Sequence, residues 1–195
     1  GAEAVAVHLA DNWFIPGKVI FEDESELFAA KIFAEFNRQS QIGLKAPELS
    51  MESIDGTEIS LFTGDDYGSA FRVLYFYDAD CAKCKIQSIL IRNLLDTENH
   101  PVNFYAVYTG DDRQEWKDYV ETRLTITAEK ANVQHLWDPQ VESDYQRKYG
   151  VIQTPRMFLV SPEGVIIGRG LDAKALSGML ESLLSDKILN YGGAE

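Results

Sequence analysis

Residues 71–77, Phe-Arg-Val-Leu-Tyr-Phe-Tyr, run almost without a polar break. A strand of that kind has to be covered on both faces, which places it in the middle of a sheet. The pattern then changes. From Cys84 to Leu95 apolar residues recur at helical spacing, with Ile86, Ile89, Leu90 and Leu94 expected on the inner side. A second apolar run, Val102–Tyr108, follows. Strand, helix and strand in that order predict a right-handed parallel crossover, so the chain is set for an α/β architecture.

The flanking segments fit around this unit. Glu48–Ile54 and Thr57–Leu61, joined by Asp55-Gly56, read as a β-hairpin, and Gly64-Asp65-Asp66-Tyr67-Gly68 reads as a loop. Asp111-Asp112 is placed to cap a helix through Trp116, Tyr119 and Val120. Val133–Trp137 is a short strand closed by Asp138-Pro139, and Gln140–Tyr149 is expected to be a helix ended by Gly150. Arg156–Val160 and Val165–Arg169 form strands joined by the turn Ser161-Pro162-Glu163-Gly164. A last helix runs from about Asp172 to Leu189, with Leu176, Met179, Leu180, Leu183 and Leu184 facing in. Trp116, Trp137 and the tyrosine-rich strands read as core.

Before the hairpin the signal is weaker. The first ~20 residues read as irregular, with an extended patch near Val5–Leu9 and a stop at Pro16-Gly17. From Asp23 to Gln39 the period is helical, with Phe28, Ile32 and Phe36 in one stripe beside Ala29 and Phe33. That stripe is expected to dock on the main domain, because the opposite face is acidic rather than the basic face of a membrane-surface helix. The division expected is an N-terminal extension over residues 1–42 and a main domain over residues 43–195.

Charge narrows the partners. The net charge is −13, a field that repels phosphate backbones and anionic lipid, so nucleic acid is not expected. No run approaches the length of a membrane span. Gly1-Ala2-Glu3 has neither the basic stretch nor the apolar core of a signal peptide, and a leading Gly is expected of a trimmed or cleaved chain.

The 195 residues hold two cysteines, Cys81 and Cys84, spaced C-x-x-C where the first apolar strand passes into its helix. A helix N-terminus presents unpaired N–H groups and the positive end of a dipole, which favour thiolate over thiol, and the second cysteine lies one turn on, within reach of a small disulfide. A static disulfide or a pair of buried thiols is the plainer reading. A closed zinc site needs four ligands, and only His8, His100 and His135 could join, each alone in its segment, so neither metal nor other cofactor is expected. One C-x-x-C pair suits the cytoplasm and an oxidising envelope equally.

Three motifs together carry a resemblance. They are Cys81-Ala82-Lys83-Cys84 at the strand-to-helix junction, the segment Val151-Ile152-Gln153-Thr154-Pro155-Arg156-Met157-Phe158-Leu159-Val160, and the hairpin Ser161-Pro162-Glu163-Gly164-Val165-Ile166. Over roughly Ile42–Leu189 the chain resembles the TlpA/ResA-like thiol–disulfide oxidoreductases, which have the thioredoxin fold. The resemblance implies a central mixed sheet flanked by helices, with the hairpin around Asp55-Gly56 as the extra N-terminal strands of that branch. It implies a cis Thr154–Pro155 bond, Cys81 as the attacking thiolate, and Cys84 as the resolving thiol. Thr154, Pro155, Asp80, Ala82 and Lys83 would then meet the substrate, and Arg156 would stand near it. It further implies protein disulfide or dithiol substrates, a membrane thiol reductase as electron donor, and a periplasmic or envelope location, with the reductant direction favoured.

The sequence departs from the pattern at named positions. Asp80 stands where Trp often precedes the first cysteine, and Ala82-Lys83 replaces the proline-containing pair. Tyr75 holds the position of the buried acid of thioredoxin, and Gln87 holds that of the branch's glutamate. No carboxylate is therefore assigned as proton acceptor. A redox-inert thioredoxin-like binding module is the alternative from another class. A peroxiredoxin is disfavoured, because its motif needs Thr and Pro where this chain has Asp78 and Leu74.

Overall fold

The computed structural model describes residues 2–62 and 70–191. The expected loop at Gly64–Gly68 lies outside them. Seven strands form one mixed sheet in the order β2-β1-β5-β4-β3-β6-β7. The centre is the predicted crossover: β3 (Phe71–Tyr77), α3 (Ala82–Glu98) and β4 (Val102–Tyr108), with β3 and β4 parallel in register Phe71↔Val102 through Tyr77↔Tyr108. All seven residues of each of these strands are buried. Strand β5 (Ala131–Trp137) adds in parallel beside β4, and the hairpin β1 (Ser50–Ser53) and β2 (Glu58–Ser60) extends that edge antiparallel. The hairpin turns at Gly56, whose φ of 88° suits a residue without Cβ. On the other side β6 (Arg156–Val160) and β7 (Ile166–Arg169) run antiparallel to their neighbours.

Alternation along β3 divides the core. Phe71, Val73, Tyr75 and Tyr77 face α3, α4 (Arg113–Arg123) and α6 (Ala173–Tyr191), whereas Leu74 and Phe76 face Tyr145 and Tyr149 of α5 (Tyr145–Tyr149). Asp112 caps α4 through the N–H groups of Gln114 and Glu115. In α6, Leu176 and Leu180 are buried, and Met179, Leu183 and Leu184 pack against the same cluster, as expected.

Four expectations are corrected. The first is the start of the chain, which is helical and not extended: α1 spans Ala2–Leu9 and continues as a π-helical turn over Ala10–Phe14. Alanines at 2, 4 and 6 are strong helix formers, and Val7 and Ala10 are buried there. The second is the face that α2 (Glu24–Asn37) presents. Its buried positions are Ala34 and Asn37, while Phe28, Ile32 and Phe33 of the predicted stripe are exposed. Polar anchors set its rotation: Asn37 Oδ1 accepts from Arg169, and Glu35 pairs with Arg147 of α5 at 2.9 Å.

The third is the helix at 140–149, which shrinks to α5. Val141 and Asp144 have positive φ, and the Asp138 carboxylate takes the N–H groups of Glu142 and Ser143, so the chain turns before it coils. The fourth is the phase of α3. Its inner stripe is Cys84, Ser88, Ile91 and Leu95 with Leu94, while Ile86 and Leu90 face outward.

Candidate active site at the start of α3

Strand β3 ends at Tyr77, and Asp78–Asp80 make the turn that delivers Cys81. The Asp78 carboxylate accepts the Asp80 N–H at 2.8 Å and the Asp78 carbonyl accepts from the Cys81 N–H at 3.3 Å, a compact Asx-type turn. Cys81 is the N-cap of α3. Its sulfur accepts the N–H of Cys84 at 3.2 Å, filling the place that a Ser or Asp oxygen takes at other helix starts. The Thr154–Pro155 bond is cis, and the Thr154 carbonyl lies 3.5 Å from the Cys81 sulfur, which donates to it as a thiol.

The two thiols, both free, have opposite surroundings. Partial burial works to raise the Cys81 thiol, but hydrogen bonds from the Cys84 thiol, the Cys84 N–H, the Thr154 side chain and the Lys83 N–H together hold it below its ordinary value. Cys84 is fully buried, and burial pushes it up to about 12. Proximity to Cys81 adds to that rise. The pair is therefore built with one ionisable sulfur at the surface and one protonated sulfur behind it.

Behind Cys84 lies a chain of hydroxyls. Tyr75 Oη donates to the Cys84 carbonyl at 3.1 Å and stands 3.2 Å from Ser88 Oγ, which is 3.0 Å from Tyr119 Oη. Burial raises both tyrosines, Tyr119 to about 12, so the chain is neutral throughout the physiological range. Gln87 points elsewhere: its Oε1 accepts the N–H of Ala173 at 2.8 Å and ties the start of α6 to α3.

Residues 42–169 match the AhpC/TSA family. The chain belongs to that family. No curated protein matches its sequence. Among solved structures it is similar to the thioredoxin domain of a thiol-disulfide oxidoreductase from Bacteroides vulgatus. That pair is 20% identical with a TM-score of 0.59 over 73% of this chain and 97% of the other. A thiol-disulfide oxidoreductase from Bacteroides fragilis gives 20% identity and a TM-score of 0.60, covering 71% and 98%. A thioredoxin-like protein from Bacteroides caccae gives 15% and 0.70, covering 92% of this chain and 62% of its own. These likenesses establish a thioredoxin-like fold.

In this AhpC/TSA-family chain the residues singled out from sequence fall into two groups. Cys81, Cys84, Thr154 and Pro155 are brought together. Asp80, Ala82 and Lys83 form an exposed rim beside them, and the Asp80 side chain does not enter the hydrogen bonding that positions Cys81. The histidines stay apart: His8 bonds Asn12, His100 pairs with Glu98, and His135 lies within β5. Among the described residues no three His, Cys, Asp or Glu side chains gather as a metal would need, and no helix is long and apolar enough to cross a membrane. Sequence reasoning missed Ser88 and Tyr119. A serine four residues after Cys84, on the same helix face, was the available signal.

Proposed function

We propose that the protein exchanges disulfides with protein substrates through Cys81 and Cys84, acting as a reductant in the bacterial envelope. The observation that carries this reading is the Cys81 sulfur: an N-cap held below its ordinary pKa and seated against the carbonyl of the cis Thr154–Pro155 unit. The Cys81 thiolate attacks one sulfur of a substrate disulfide. That bond breaks, and the departing sulfur takes up a proton. Cys84 gives up its proton and attacks the Cys81 sulfur of the mixed disulfide, which forms the Cys81–Cys84 bond and releases the second substrate thiol. Two electrons pass to the substrate, and a thiol donor such as a membrane thiol reductase restores the dithiol. An extended substrate segment pairs with the Thr154 backbone as an added strand, bordered by Pro155 and by the rim of Asp80, Ala82 and Lys83.

The reading also takes residues 1–42 as an extension that packs on a domain spanning residues 43–195. The TlpA/ResA resemblance supports the reductant direction. Peroxide reduction is less well supported, because Asp78 and Leu74 stand where its motif needs Thr and Pro, and Leu74 is buried on the far face of the sheet. The test is reduction of insulin by the dithiol form, together with the equilibrium potential of the pair. Turnover with a potential near thioredoxin's ~−270 mV supports a reductant, and a value near ~−120 mV reverses the direction. Absence of exchange with any protein disulfide leaves the redox-inert binding module.

A further inference from the structure

One pocket borders the cis-proline unit from the side of the N-terminal helices. It has a volume of about 410 Å³. Ile152, Gln153 and Arg156 line it from the cis-proline loop, and Glu3, Phe33 and Asn37 line it from α1 and α2. Gln153 and Arg156 are the residues on either side of Thr154–Pro155, so the pocket begins one residue from the peptide unit that touches Cys81.

Its charge is unbalanced. Arg156 and Arg169 stand over the same ring, with guanidinium carbons 5.7 and 5.9 Å from the centre of Phe158. A methyl group added at Gly150, itself in the pocket wall, would stand 3.3 Å from Arg169 Nη2. The carboxylate between the two arginines is Glu3. It pairs closely with Arg169 but only loosely with Arg156, at 3.5 Å. Two guanidiniums against one carboxylate leave an excess of one positive charge. The Nε atoms of both arginines are buried without a hydrogen-bond partner, and burial, with repulsion from Arg156, pulls the Arg169 guanidinium below its ordinary value. Arg169 has 3% of its side chain exposed and Arg156 18%, so Arg156 is the one that a ligand reaches.

We propose that this pocket is a specificity subsite for an acidic side chain of the substrate, close in sequence to the cysteine under attack, with Arg156 as the residue that recognises it. The proposal rests on the exchange reading above. An extended peptide paired with Thr154 sends alternate side chains to opposite sides, and those on the pocket side meet Arg156. A carboxylate there completes the guanidinium that Glu3 leaves half-paired, while Ile152 and Phe33 receive the methylenes of a glutamate. In a chain of net charge −13, the local excess of positive charge is what distinguishes this patch for an acid.

The test uses the full-length protein and disulfide-linked peptides that differ only in Glu against Gln, scanned over the three positions on each side of the cysteine. Binding of the matching Cys→Ser peptides is measured in parallel by calorimetry. At one or more positions the rate of reduction and the affinity are expected to favour Glu by about tenfold, the effect of roughly one charge-assisted hydrogen bond. Arg156→Gln brings that ratio near one, and Arg156→Lys restores part of it. Glu3→Gln raises it, because the competing carboxylate is gone. The ratio is internal to each variant, so a general loss of stability does not imitate the result. If the arginines serve only to hold α1, the wild-type ratio is near one, or neither variant moves it, and the proposal is overturned. If no peptide is reduced but the Glu peptide binds in an Arg156-dependent way, the subsite stands and the exchange reading fails.

Discussion

Cys81 and Cys84 are separated by one helical turn, yet the fold treats them as different chemical groups. Cys81 takes the N-cap position, where backbone N–H groups converge on it, and it sits at the surface beside Thr154. Cys84 is the first buried residue of α3, and there burial outweighs the hydrogen bonds from Asp78 and Thr154 that favour its anion. The difference arises from where the helix begins. A start one residue later would move both sulfurs off their positions. The lesson is that C-x-x-C acquires its asymmetry from the cap geometry and from what the sheet places under the second cysteine.

The largest test of this contrast is substitution of each sulfur. Cys81→Ser is expected to lower disulfide exchange to the uncatalysed rate, because a serine hydroxyl is no nucleophile at neutral pH. Cys84→Ser is expected to retain the first attack and to accumulate the mixed disulfide, visible by mass spectrometry of the trapped complex. If both variants trap equally, the two roles are not distinct.

The second test is pH. Cys84 is raised in the folded state, so its contribution to stability is fully present below the ordinary thiol pKa and is lost as pH rises from there through about 12. This one group should therefore take up to ~4 kcal/mol from the reduced protein over that window, since each tenfold change in proton affinity is worth about 1.4 kcal/mol, and Cys84→Ala should make the slope shallower, the buried tyrosines accounting for the rest. Cys81 is shifted the other way. Its alkylation by iodoacetamide should half-saturate below the pH of a free thiol. A common midpoint for the two thiols would remove the distinction.

Most of this frame could be read from the chain because single residues carried strong signals. The run Phe71–Tyr77 could only be central, whereas Thr154-Pro155 pointed to the partner of Cys81 only through the family resemblance. Other features were hidden for definable reasons. Ala-Val alternation in residues 4–7 imitates the period of a strand, although alanine favours the helix that forms. Periodicity misphases the inner face of α3, which includes polar Ser88 and leaves Ile86 and Leu90 outside, because it counts hydrophobicity rather than hydrogen-bond partners. The Glu3–Arg169 pair joins residues 166 positions apart, beyond any local pattern.

Ser88 allows a narrower test of what stands behind Cys84. Its hydroxyl connects Tyr75 to Tyr119 in a fully buried setting, so Ser88→Ala leaves two buried phenols short of a partner. The expected loss is about 1–3 kcal/mol in denaturant unfolding, with a change in the rate at which the mixed disulfide resolves. Unchanged stability would mean that the chain of hydroxyls is incidental.

Gln87 gives the smallest effect and the cleanest control. It occupies the position where the resemblance places a glutamate, one residue before Ser88, yet its side chain caps α6 through the Ala173 N–H. A capping contact of this kind is worth about 1 kcal/mol. Gln87→Ala should therefore lower stability by roughly that amount and leave the pH midpoint of Cys81 alkylation where it was. A shift in that midpoint would show that Gln87 reaches the thiols in solution, and position 87 would then join the chemistry of the pair instead of the packing of α3 on α6.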